Sequence, residues 1–147
     1  MKLSTRSRYG LRAMMVLAMS HADEPVMART IAERQNLPVA YLEQLMLTLR
    51  KSGLVAATRG AHGGYQLTRS AARITLADVV EALEGPIDIA DCADIANCCS
   101  ASSRCALRAV FERANEALRA AFASTTLADL ASTQQELESA GTLLYEI

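Results

Sequence analysis

Four cysteines, Cys92, Cys98, Cys99 and Cys105, fall within a single 14-residue window, and the chain has no others. Cysteines used for packing scatter through a core, whereas this window is polar and short of large apolar residues. It reads as a loop that holds something. In a reducing compartment, clustered thiols serve as metal ligands or redox groups before they serve as structural disulfides. Structural zinc sites usually bring C-x2-C knuckles, and none occurs here. An iron–sulfur cluster accepts wider spacing, because its irons lie apart and each takes its own thiolate. The C-x5-C and C-x6-C intervals from Cys92, with C-x5-C to Cys105, suit a loop wrapped around a cluster. Spacing ranks a cluster first, zinc and a redox thiol pair together behind it, and disulfides last.

The chain that must position this loop has 147 residues, 51% of them apolar, enough for one compact domain with an attached element. It contains no apolar run of 18 residues, so no membrane partner is expected. The basic start, Met1 to Arg6, lacks the apolar stretch and cleavage site of a signal peptide, and the expected location is the cytoplasm. The net charge of −1 conceals an asymmetry: residues 1–70 carry ten Lys/Arg against four Asp/Glu, and residues 71–147 five against twelve. A basic first half suggests a polyanionic partner.

Hydrophobic periodicity and breakers predict a helix over residues 4–20, capped by Ser4 or Thr5, and a short helix over 27–35 with Gln35 facing outward. Asn36-Leu37-Pro38 breaks that helix and opens a third, with an apolar stripe of Leu42, Leu45, Met46 and Leu49 that ends at Ser52-Gly53. Two short helices joined by a three-residue turn form a helix-turn-helix pattern. Strand candidates 54–58 and 65–68 flank the glycine-rich tip Arg59-Gly-Ala-His-Gly-Gly64, which makes a hairpin wing. Thr75 to Asp78 resembles a capping box and opens a helix to about Leu83. Beyond the cysteines, Ser103 can cap a long helix from about Arg104 to Ala123. Its apolar stripe of Leu107, Val110, Phe111, Ala114, Leu118, Ala121 and Phe122 is read as a dimer interface, with Arg104, Arg108, Glu112, Glu116 and Arg119 on the other side. Folding back on its own domain is the alternative. A last short helix starts near Thr126, with residues after Ser139 frayed. The expected fold is mostly α with a small β-hairpin wing: a winged helix-turn-helix plus a long dimerisation helix.

A unit of this kind reads double-stranded DNA. Tyr41, Glu43 and Gln44 lie in the first turns of the third helix, where Gln can pair with adenine and Glu can accept from cytosine N4. Arg59 and His62 sit at the wing tip, where Arg59 can enter a narrow minor groove. Lys2, Arg6, Arg8 and Arg50 are candidates for phosphate contact, which sets affinity rather than sequence preference.

Met1-Lys-Leu-Ser-Thr-Arg-Ser-Arg-Tyr-Gly-Leu-Arg-Ala-Met14, Tyr41-Leu-Glu-Gln-Leu45, Leu49-Arg-Lys-Ser-Gly-Leu-Val55, Arg59-Gly-Ala-His-Gly-Gly-Tyr65, Ile74-Thr-Leu-Ala-Asp-Val79 and the cysteine window together resemble the IscR/NsrR-type winged-helix transcription regulators (the Rrf-two family) over residues 1 to about 130. The resemblance implies no enzyme. It implies a homodimer on a DNA operator, mostly as a repressor, with an iron–sulfur cluster near the dimer interface. Members sense iron, cluster supply, nitric oxide or redox state. Glu43 is similar to the family's base-reading acid and Arg59 to its wing arginine. Cys92 and Cys105 match the first and third cluster ligands. For the middle ligand Cys99 is preferred over Cys98, because it keeps the family's spacing to Cys105. By analogy [2Fe–2S] is favoured and [4Fe–4S] is possible. The sequence departs at the fourth ligand. The IscR type places His where this chain has Arg108, and the NsrR type uses an acid near Arg6, Ser7 and Arg8. The spare cysteine, Asp91, Asp94 or a small molecule could complete the site.

The implied division is 1–84 for DNA reading, 85–105 for the cluster loop, 106–138 for dimerisation and the C-terminal helix, and 139–147 as a tail. A small iron–sulfur electron carrier and a zinc-stabilised interaction module are the rivals.

Overall fold

The computed structural model describes residues 3–20, 24–89 and 105–145, the last five of these by backbone alone. The helix α1 (Thr5–Met19) begins where the Ser4 hydroxyl accepts from the Ser7 N–H at 3.1 Å. It buries Ala13, Met14, Val16 and Leu17. Helix α2 (Ala28–Gln35) ends in Asn36, which takes the left-handed conformation (φ 52°), and Pro38 caps α3 (Val39–Lys51). The turn that aims α3 is therefore set by one residue type tolerant of positive φ and one that cannot continue a helix.

Strands β1 (Val55–Thr58) and β2 (Gly64–Leu67) pair antiparallel, from Val55 opposite Leu67 to Thr58 opposite Gly64. A third segment joins them. Val26 and Tyr65 exchange two backbone hydrogen bonds of 2.8 Å, which ties the hairpin to the entry of α2. Gly64 permits this approach, since a Cβ there would collide with the Val26 carbonyl. Helix α4 (Leu76–Glu84) starts with a complete capping box between Thr75 and Asp78. Gly10 of α1 packs against Leu83 of α4, leaving no room for a Cβ.

One core joins α1 to α4 and the hairpin, with Met14, Ile31, Leu42, Leu45, Met46, Leu49, Ile74 and Val79 essentially inaccessible. Helix α5 (Ala106–Ala123) leaves this core and α6 (Leu127–Tyr145) returns to it. Leu127 is fully buried with the core, and Thr75 and Thr126 form an antiparallel bridge that sets the starts of α4 and α6 side by side.

Four expectations need correction. Gln35 is buried, not outward, because its side-chain oxygen accepts from Arg12 Nε at 2.7 Å where α1 packs on α2. Helix α5 starts at Ala106, with Cys105 at the cap position; the expected cap Ser103 and first residue Arg104 lie outside the described residues. Its stripe is divided. Leu118 and Phe122 pack on Ala77, Val80 and Ile87 of their own chain, while Leu107 and Val110 stay 61% and 55% exposed. Arg119 stays exposed, as expected, and its guanidinium lies 3.6 Å from Glu81 and 4.0 Å from Asp88. Finally, the expected short last helix with a frayed end after Ser139 is a 19-residue helix continuous to Tyr145. A reciprocal Thr126–Asp129 cap and the packing of Leu127, Leu130 and Ala131 nucleate it.

Candidate nucleic-acid interface and cysteine loop

The apolar stripe of α3 is consumed by the core, which leaves Glu43, Gln44, Leu47, Arg50 and Lys51 exposed along the opposite face. The wing lies against this helix. The Tyr65 hydroxyl in β2 feels both Glu43 and Arg50, and its pKa is raised, first by burial and then by the Glu43 charge, with Arg50 opposing. Tyr65 of the wing thus lies within electrostatic reach of the exposed face of α3. At the tip, the Gly63 N–H donates to the Gly60 carbonyl at 3.0 Å, Gly60 adopts φ 113°, and Arg59 and His62 are both exposed.

Tyr41 is placed differently from its neighbours. Its half-buried ring packs edge-on against Tyr9 at 6.2 Å between centroids, and Arg12 lies 5.7 Å over the Tyr9 ring. Arg8 is exposed and donates to Thr5 Oγ1 on its own helix at 3.3 Å. Arg6 reaches across to α3, donating to Thr48 Oγ1 at 2.8 Å. The N-terminus of α1 is held in turn by α4, because the Ser4 N–H donates to Glu84 Oε1 at 2.9 Å. Burial of Glu84 pushes its pKa up, but the hydrogen bonds from Ser4, the nearby Ser7 hydroxyl and the Arg6 charge outweigh it, and the pKa is lowered. The Ser7 hydroxyl itself is buried without a partner at hydrogen-bond geometry, so Ser4 is the firmer contact.

Among the described residues, this surface holds the cations Arg6, Arg8, Arg50, Lys51 and Arg59, with the Glu43 carboxylate beside them on α3. It is suited to binding a polyanion and to reading donors and acceptors on it.

The other candidate site lies largely outside the described residues. Cys92, Cys98, Cys99, Asp91 and Asp94 all fall there, as does Lys2. Cys105 is exposed, forms no disulfide among the described residues, and occupies the cap position of α5. Arg108, one turn on, is engaged with Glu112 at 2.7 Å, and a guanidinium offers no lone pair to a metal. Among the described residues no three His, Cys, Asp or Glu side chains gather into a metal site. The entry to the loop is well defined. Asn115, the buried polar residue of α5, accepts from the Ile89 N–H at 2.7 Å and donates to Asp88 Oδ1 at 2.8 Å.

Asn115, Glu84 and Leu47 were not singled out from the sequence. The first two act through contacts distant along the chain. Leu47 did carry a signal, since it sits off the 42-45-46-49 stripe.

A family model described as Rrf2, iron-dependent transcriptional regulator, matches residues 3–133. The chain belongs to the Rrf2 family. Protein rrf2 of Nitratidesulfovibrio vulgaris is 43% identical over 130 residues, 88% of this chain and 87% of that protein. The HTH-type transcriptional regulator CymR of Bacillus subtilis is 41% identical over 90% of this chain and 91% of its own length. IscR of Xenorhabdus nematophila is 36% identical over 95% and 85%. Among solved structures, CymR, described as the global cysteine regulator of B. subtilis, superimposes with a TM-score of 0.75 at 39% identity, covering 90% of this chain and 98% of that one. IscR of T. potens gives 0.75 at 36%, covering 93% and 90%. This Rrf2 protein is thus a winged-helix, DNA-binding transcriptional regulator and not an enzyme. None of its described helices is long and apolar enough to cross a membrane.

Proposed function

We propose that this Rrf2-family chain is a homodimeric, cytoplasmic repressor that grips an operator with α3 and the wing, and whose affinity is set by an iron–sulfur cluster held in the loop of Cys92, Cys98, Cys99 and Cys105. The observation that carries the DNA reading is the exposed face of α3 (Glu43, Gln44, Arg50 and Lys51) together with the exposed wing tip (Arg59 and His62). Glu43 and Gln44 address base edges, Arg59 and His62 the adjoining groove, and Arg6, Arg8 and Arg50 the phosphates.

Cys105 suits a ligand role by its exposure and by the uncapped N–H groups of α5 beside it, which favour an anionic neighbour. A cluster held by Cys105 and the other cysteines of the window would supply a centre sensitive to oxidation and to cluster supply. The chain's own residues carry a change at that centre. Asn115 fixes the loop entry to α5, Glu84 fixes the end of α4 to Ser4, and Arg6 fixes α1 to α3. The exposed side of α5, with Leu107, Val110, Ala114 and Ala117, covers the partner subunit. Residues 1–84 read, 85–105 sense and 106–138 join the subunits.

A second reading follows from the likeness to CymR, whose structure is described as that of a cysteine regulator: control by sulfur amino-acid supply, with no cluster. Anaerobic purification followed by iron, sulfide and zinc analysis and a visible spectrum separates the two. Iron with sulfide and thiolate-to-iron absorption are expected. Stoichiometric zinc, or no metal at all in protein that still binds its operator, overturns the cluster.

A further inference from the structure

Leu47 is a large apolar side chain left 48% exposed on a helix whose other leucines, Leu42, Leu45 and Leu49, are buried. It lies four residues after Glu43 and three after Gln44, so it shares their face one turn further along α3. Arg50 and Lys51 follow on the same side, and all four of these polar neighbours are exposed. Thr48 beside it is turned away into its contact with Arg6. The protein thus presents Leu47, 48% open to solvent, amid charged and donor-rich side chains, with Val39 (39% exposed) the other large apolar group open on this helix, two turns earlier.

The edges of base pairs in the major groove offer donors and acceptors and, as their one apolar feature, the 5-methyl group of thymine. We propose that Leu47 is a specificity-determining residue that packs on a thymine 5-methyl group in each half of the operator. The inference rests on the reading of α3 as the base-reading helix. It assigns a sequence preference to a residue that can make no hydrogen bond. It also separates two kinds of discrimination on one helix face: Glu43 and Gln44 recognise polar edges, and Leu47 recognises a methyl group one turn on. Burial of one methyl-sized group corresponds to about a four-fold change in affinity.

The experiment uses the full-length protein. A random duplex library is enriched for binding, and the winning duplex is resynthesised with each thymine replaced in turn by deoxyuridine, which removes only the methyl group. Binding is followed by fluorescence anisotropy at fixed salt. At one thymine per half-site, replacement weakens the wild type about four-fold, while L47A and L47S bind both duplexes equally. Matched circular dichroism and melting temperatures verify that these surface variants are folded. Indifference of the wild type to deoxyuridine at every position overturns the proposal, as does undiminished sensitivity in L47A. Failure to enrich any duplex refutes instead the reading of α3 on which the proposal depends, and so the two failures are told apart.

Discussion

Arg6, in the first turn of α1, is hydrogen-bonded at 2.8 Å to the Thr48 hydroxyl on α3, and that hydroxyl in turn donates to the Gln44 carbonyl at 3.3 Å. A cation that sequence alone assigns to phosphate contact is thereby tied to α3, the helix proposed to read bases. Thr48→Val keeps the side-chain shape and removes the acceptor. Operator affinity should fall several-fold, while unfolding free energy changes by only about 0.5–1.5 kcal/mol, as for one exposed hydrogen bond. Anisotropy and urea titration check the two halves of this expectation.

The Asn115 side chain satisfies two groups at the loop entry from within a buried position. Asn115→Leu fills the space but leaves the Ile89 N–H and the Asp88 carboxylate without that partner. The expected loss is about 1–3 kcal/mol, read by chemical denaturation, with a smaller response of operator affinity to cluster loading if the loop entry is what couples them.

Gly64→Ala places a methyl group against the Val26 carbonyl. The wing must move away from the entry of α2. A stability loss of roughly 1–3 kcal/mol is expected, together with weakened DNA binding. Intact binding at unchanged salt would show that the wing's attachment to Val26 is dispensable.

Glu84 titrates below its ordinary value of 4.5 in the folded protein. A depressed carboxyl stabilises the fold above its unfolded pKa, and this contribution is lost as pH falls through the folded value. Below about pH 4.5 the wild type should therefore lose stability more steeply than Glu84→Gln. Coincident acid limbs in the two melting-temperature profiles would refute this.

Val110, 55% exposed on α5, is expected to meet the partner subunit. Val110→Glu should shift the protein from dimer to monomer in sedimentation velocity and reduce operator affinity, because the half-sites are no longer engaged together. A dimer that persists at low micromolar concentration places the interface elsewhere.

The helix-turn-helix and wing were legible because periodicity and breakers are local signals: Asn36 and Pro38 mark the turn, and Gly60, Gly63 and Gly64 mark the tip. The cysteine window pointed to a metal or redox site through composition and spacing, and all of it but Cys105 lies outside the described residues. What escaped was the residues whose role depends on distant partners. Gln35 looked like surface because its contact with Arg12 is 23 residues away in the chain. The stripe of α5 seemed single because a repeat cannot tell a face that meets its own domain from one that does not. Helix α6 seemed short because its anchoring comes from Thr126, Asp129 and the buried Leu127 at its start, rather than from amphipathicity along its length.

The bridge between Thr75 and Thr126 gives α5 a geometry beyond its proposed place between subunits. The chain leaves the reading domain after α4 and re-enters beside the start of that same helix, so α5 is a beam pinned near Thr126 and held partway along by Asn115. At ~1.5 Å per residue its 18 residues span roughly 27 Å. A tilt of about 5° about the pinned end would swing the cysteine end by roughly 2 Å, from the same rise per residue. Under the proposed cluster reading, a small displacement at Cys105 would correspond to motion on the scale of a hydrogen bond, with the stiffness of α5 setting the gain.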